Sequence, residues 1–296
     1  MSDTQPDPRR PGASDRDVGP GPAAKPAGSG RAGVVAILGA AAIVAALAWW
    51  QGAFTKRVES PPEKPVETAA PLDDAATARA LVERRLAEAN DYAPFFAALA
   101  SRFPADSAQI RDNLAAAALA DKAAATPDRF VAVALKSLRE TRGVVAAKAD
   151  TPAMTRVFEA QAAMLAALRQ ADPKLCVDFV YGGATDAFME FSGAHRALFA
   201  AVAQAALDAI VDGGEKKIER DAPDDEDFAL LEKALRDKGY GDPEIAVLLD
   251  GKTPDPPLAD ERMCDAARAY VEAVLAMPEP ARSRVLSLAI ELMARS

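Results

Sequence analysis

The chain has 296 residues, with 35 Lys and Arg against 44 Asp and Glu, one His and two Cys, for a formal charge of −9. An acidic balance lacks the electrostatic footprint of a nucleic-acid binder and is repelled by anionic lipid. A single His and two Cys far apart in sequence leave no nitrogen–sulfur ligand set, so neither a metal nor a cofactor is expected.

Residues 1–31 are rich in Pro and Gly, carry charges of both signs and have almost no large apolar side chain. Such a segment buries too little surface to offset its ordering entropy, which predicts a disordered tail. Residues 32–54 are uncharged and apolar, with Val34, Val35, Ile37, Leu38, Ile43, Val44 and Leu47 ahead of Trp49 and Trp50. About 20 apolar residues in helix cross the hydrocarbon core of a bilayer, and Trp suits the headgroup layer. The segment therefore reads as a transmembrane helix. Arg16, Lys25 and Arg31 precede it and Lys56, Arg57 and Lys64 follow it, a nearly even balance. The closeness of Arg31 and the shortness of the tail favour a cytoplasmic N-terminus. A cleaved signal peptide is the competing reading, since Ala46-Leu47-Ala48 has the small-x-small form of a cleavage site. Residues 55–71 contain Pro61, Pro62, Pro65 and Pro71 and predict an extended spacer. The expectation is a single-pass protein of a bacterial inner membrane, with residues 72–296 as a soluble domain in the periplasm.

From residue 73 onward the pattern is helical throughout. Thr126-Pro127, Thr151-Pro152, Asp172-Pro173 and Asp242-Pro243 each read as an N-cap acceptor followed by Pro at the first helical position. Apolar residues recur at helical spacing, as in Phe130, Ala134, Leu135 and Leu138, or Leu198, Phe199, Val202, Ala206 and Ile210. Only Leu175–Tyr181 is ambiguous between helix and strand. The fold expected is all-α and bundle-like, with a helical-repeat arrangement as the alternative. Gly213-Gly214 is expected to end a helix, and residues 215–227 to form a charged loop with nothing to bury. That divides the domain into sub-regions 73–212 and 228–296. Near the C-terminus, Pro278 and Pro280 break an apolar stretch into a helical hairpin.

Cys176 and Cys264 both sit on apolar helical faces, so in an oxidising compartment a disulfide between two helices is expected, against two buried free thiols. Phe179, Tyr181, Phe188, Phe191 and Phe199 crowd around Gly182-Gly183 and Ser192-Gly193. They read as a core corner or as an apolar pocket. His195 has no nucleophile or orienting acid in its sequence context, and Glu159 and Glu190 stand in no recognisable catalytic setting, so no catalytic residue is assigned. The acidic run Asp221, Asp224, Asp225, Glu226 and Asp227 lacks calcium-loop spacing and reads as a solvated loop leading into a helix. The function expected is a membrane-anchored protein-interaction or scaffold module with a protein partner or self-association. The alternatives are a cell-wall enzyme using one carboxylate and a carrier of a small apolar ligand.

Overall fold

A computed structural model describes residues 74–183 and 185–295. The expected tail 1–31, membrane helix 32–54 and linker 55–71 lie outside the described residues. Those that are described form twelve α-helices and no strand. They are α1 (Ala75–Glu88), α2 (Ala93–Arg102), α3 (Pro104–Ala120), α4 (Pro127–Ala146), α5 (Thr151–Ala171), α6 (Pro173–Val180), α7 (Asp186–Ala194), α8 (Arg196–Lys216), α9 (Asp225–Asp237), α10 (Asp242–Asp250), α11 (Asp260–Ala276) and α12 (Ala281–Arg295). The ambiguous Leu175–Tyr181 stretch is helical and belongs mostly to α6.

Local chemistry explains the starts. Thr126 Oγ1 accepts from Arg129 N at 3.4 Å and Asp172 Oδ1 from Lys174 N at 2.8 Å, each with Pro next in the chain. At two starts the cap lies one residue earlier than expected. Asp150, not Thr151, caps α5 by accepting from Ala153 N at 2.8 Å. Gly241 occupies the cap position of α10, and the Glu244 carboxylate reaches back to its N–H at 2.9 Å. In both cases Pro sits at the second helical position, where its missing N–H is equally harmless.

α8 is central: it packs on α4 and α5 and also meets α2 and α7. It is the one described helix long and apolar enough to cross a membrane. Its contacts on several sides account for that composition, because a helix surrounded by others is apolar around most of its circumference. α12 returns to α4 and α5, and α11 packs on α5 and α6. Elements far apart in sequence thus carry the core, unlike a solenoid in which each repeat meets only its neighbours. The stretches 73–212 and 228–296 share one apolar core, with Leu114, Leu138, Phe158, Leu168, Leu207 and Leu231 among its fully buried members. Cys176 of α6 and Cys264 of α11 are joined by a disulfide with a Cα–Cα distance of 5.7 Å.

Gly213-Gly214 does not end α8, which continues to Lys216; Lys217 takes the left-handed conformation at φ 51° and donates to Gly213 O. A Cβ on Gly213 would lie 2.0 Å from Val145 O, so this glycine serves a close crossing of α8 over the end of α4. The segment after it is not free of the core either. Ile218 N donates to Lys148 O at 2.9 Å, and Arg220 donates to Ala147 O at 3.2 Å and Ala149 O at 2.6 Å. These bonds occupy orphan carbonyls at the α4–α5 turn. Burial pushes the Arg220 guanidinium down from its ordinary value. The acidic run likewise departs from a plain solvated loop. Asp224 and Asp227 cap α9 reciprocally, and Asp227 is buried against Arg284 with both contacts at 2.7 Å.

Candidate functional site

The aromatic corner is assembled by α6, α7 and the start of α8. Thr185 caps α7 by accepting from Phe188 N at 3.2 Å, which turns the chain after Gly182-Gly183. Gly182 has φ 75°, and Gly183 donates to Asp178 O at 2.7 Å. A Cβ on Gly183 would fall 2.9 Å from that same oxygen, so the second glycine is sterically required. The turn stacks Phe179 on Phe188 at 5.6 Å between ring centroids, and Phe199 meets Phe188 edge-on at 5.7 Å. Tyr92 continues the row at 6.3 Å from Phe199. Its hydroxyl donates to the buried Asp128 carboxylate at 2.5 Å, and Arg196 pairs with the same carboxylate at 3.2 Å. Burial and then that hydrogen bond push the Tyr92 hydroxyl well above its ordinary range.

The five aromatic residues singled out in the sequence divide into two groups. Phe179, Tyr181, Phe188 and Phe199 line a cavity of about 620 Å³. Phe191 does not line it; its ring stacks on His195 at 4.1 Å, and His195 Nδ1 lies 3.0 Å from Phe191 O. The cavity wall continues through Leu114 of α3, Phe130 and Leu138 of α4, Phe158 and Leu165 of α5, Val202 and Ala206 of α8, Met263 and Tyr270 of α11, and Val285 and Leu292 of α12. Ala117, Val133 and Lys136 are both lining and exposed, which places an opening beside α3 and α4. Burial pushes the Tyr270 hydroxyl up to about 12, so it stays a neutral donor in the wall.

Few polar groups reach this space. Arg129 pairs with Asp186 and Lys136 with Glu140. Arg139 of α4 is half-buried, and its Nε is shut off from solvent with no hydrogen-bond partner. Gln161 of α5 donates to the Met293 sulfur at 3.6 Å. Glu159, Glu190 and His195 are exposed and do not line the cavity. Arg139, Gln161 and Tyr270 escaped the sequence reading. One signal pointed to Arg139: the residues three and four away on its helix are Leu135, Lys136, Arg142 and Gly143, none of them a carboxylate.

The cysteine pair stands next to the cavity without lining it. It pins α6 to α11, and these helices contribute Phe179 and Val180 on one side and Met263 and Tyr270 on the other. No family model matches the chain. Comparisons with curated proteins and with solved structures also find no match.

Proposed function

We propose that this chain is a membrane-anchored carrier or receptor for a small apolar molecule, which it binds in the helical domain. One observation carries the reading, a cavity of about 620 Å³ walled almost wholly by apolar side chains. Ligand pockets fall at about 300–1,000 Å³ and are built in this way, apolar with a few placed polar groups. Protein interiors otherwise pack to crystal-like density. A space of this size therefore departs from ordinary core packing, and an apolar occupant would supply the contacts that its lining lacks.

The anchor is the apolar segment 32–54, and the proposed site of the domain is the periplasm. The Cys176–Cys264 disulfide supports this, because such bonds persist in oxidising compartments. A scaffold role has less behind it: among the described residues the large apolar side chains that are exposed are Val133, Val144 and Leu230. A cell-wall enzyme would need an acid in the cleft, and Glu159 and Glu190 face solvent instead.

The test is to purify the full chain in lipid nanodiscs and identify by mass spectrometry the small molecules extracted from it. An apolar compound should accompany the protein and be lost from the Ala206→Phe variant, whose added ring fills the cavity. If wild type and variant carry the same compounds in the same amount, the reading fails. Topology has its own measurement: alkaline phosphatase fused after Ser296 should be active, and a dead phosphatase with a bright green-fluorescent fusion would reverse the orientation.

A further inference from the structure

Among the described residues, the Nε of Arg139 is the donor at the cavity that the protein itself leaves without a partner. Its neighbours on α4 are matched elsewhere: Arg129 to Asp186, Lys136 to Glu140, and Arg142 to Asp106 at 2.7 Å. Arg139 makes no ion pair or hydrogen bond among the described residues, although its Nε is sealed from water. A guanidinium does not shed its proton to escape this situation. A buried donor without a partner costs its full desolvation energy. Such a group, held beside an apolar space, is satisfied by an anion that arrives attached to an apolar body.

Gln161 is placed to share that role. It faces the same cavity from α5, and its amide donates only to a thioether, a weak acceptor. Both side chains stand at the last turn of α12. Gln161 reaches Met293, and the stem of Arg139 runs past Gly143, where an added Cβ would meet Ala294 Cβ at 2.7 Å. The glycine lets α4 and α12 close tightly around this end of the cavity. The protein as a whole carries −9, so its long-range field does not collect anions. Recognition of an acid must then come from local groups.

We propose that the ligand is a single-chain anionic amphiphile, a long-chain carboxylate, with its acid group on Arg139 and Gln161 and its chain along the Phe179–Phe188–Phe199 wall. This rests on the carrier reading above and specifies its ligand. The planar fork of Arg matches the two oxygens of a carboxylate, and a lone cation suits a monoanion. The remaining wall is apolar apart from Arg129 and Lys136, each paired with a carboxylate, and suits an alkyl chain.

Two probes test it on the full chain in zwitterionic nanodiscs: hexadecanoic acid and hexadecanol carrying the same photoactivatable diazirine, with labelled peptides mapped by mass spectrometry. Wild type should be labelled on cavity-lining peptides by both, with the acid favoured about tenfold or more, the worth of a charge-assisted hydrogen bond. Arg139→Leu should remove that preference by lowering labelling with the acid far more than with the alcohol; Arg139→Lys should retain part of it. Equal labelling of wild type by acid and alcohol overturns the anion assignment but leaves the carrier reading standing. So does an acid preference that survives Arg139→Leu. Absence of cavity labelling by either probe overturns both. Arg139→Leu deletes a buried N–H that has no partner and breaks no ion pair or hydrogen bond among the described residues, so it should melt no lower than wild type, which keeps loss of folding out of the comparison.

Discussion

Asp227 shows how much one side chain holds. It is 2% exposed, caps the start of α9 and grips Arg284 of α12 through two contacts of 2.7 Å. The Arg284 guanidinium, opposed by burial, holds its carboxyl below the usual range. A depressed folded pKa gives stability that is present above the unfolded value, about 3.9, and lost as pH falls through the folded value. Asp227→Ala removes the side-chain share of Asp227 in the reciprocal cap of α9 and the nearest partner of Arg284, leaving it Asp224 at 3.7 Å, and should cost about 2–3 kcal/mol near neutral pH. Thermal melts from neutral pH downward should show the gap between variant and wild type closing only in acid below that unfolded value. A gap independent of pH would mean that the ion pair is not its source. The aromatic residues divide in a similarly testable way. Phe191→Ala, away from the cavity wall, should lower stability by about 3–5 kcal/mol. Phe179→Ala, on the half-buried wall, should cost less in the melt and show its main effect in uptake of the apolar ligand. Equal destabilisation by the two would deny that distinction.

Among the elements, the crossing of α4 and α8 is decided by which of two adjacent glycines is substituted. Gly213→Ala drives a methyl group to within 2.0 Å of Val145 O, a backbone atom that cannot swing away, and should cost about 3 kcal/mol. Gly214→Ala meets Val145 Cγ1 at 3.8 Å, an ordinary contact, and should be neutral or stabilise by up to about 1 kcal/mol through helix propensity. Chemical unfolding of the pair checks both signs, and equal effects would refute the close crossing. The α6–α11 disulfide spans 88 positions. A closed loop of that length is worth about 4–5 kcal/mol in chain entropy, and removal of natural disulfides is felt at about 2–5 kcal/mol. Replacing Cys176 and Cys264 together by Ala should lower unfolding stability within that range; an unchanged denaturant midpoint would contradict it.

On the proposed carrier reading, the molecule as a whole couples stability to occupancy. A ligand that binds only the folded form adds about 2.7 kcal/mol at a hundredfold excess over its Kd. For a domain of this size that is about 5–10 °C in Tm. Delipidated full-length protein should therefore melt higher when the long-chain acid is added, and Ala206→Phe should not respond. A shift of the same size in that filled variant would place binding elsewhere.

Much of this architecture is legible without coordinates. Apolar spacing near 3.6 and caps such as Thr126 and Asp172 specify helices locally, because they act within one turn of the chain. The crowding of phenylalanines around two glycine breaks is local too. What the tertiary structure alone decided concerns partners distant in sequence. Gly213 looked like a helix stop because glycine destabilises helices, yet it is needed for a contact with Val145, which belongs to another helix. Asp227 looked solvated because its run is acidic, yet its counter-charge arrives from α12, 57 positions away. The same holds for the candidate site. Apolar lining residues such as Leu114, Phe158 and Val285 read in sequence as ordinary core, and only the Phe179–Phe199 cluster also reads as a pocket. A cavity is the space that side chains from many helices fail to fill, and Arg139 is conspicuous only because no acid from any of them comes to meet it.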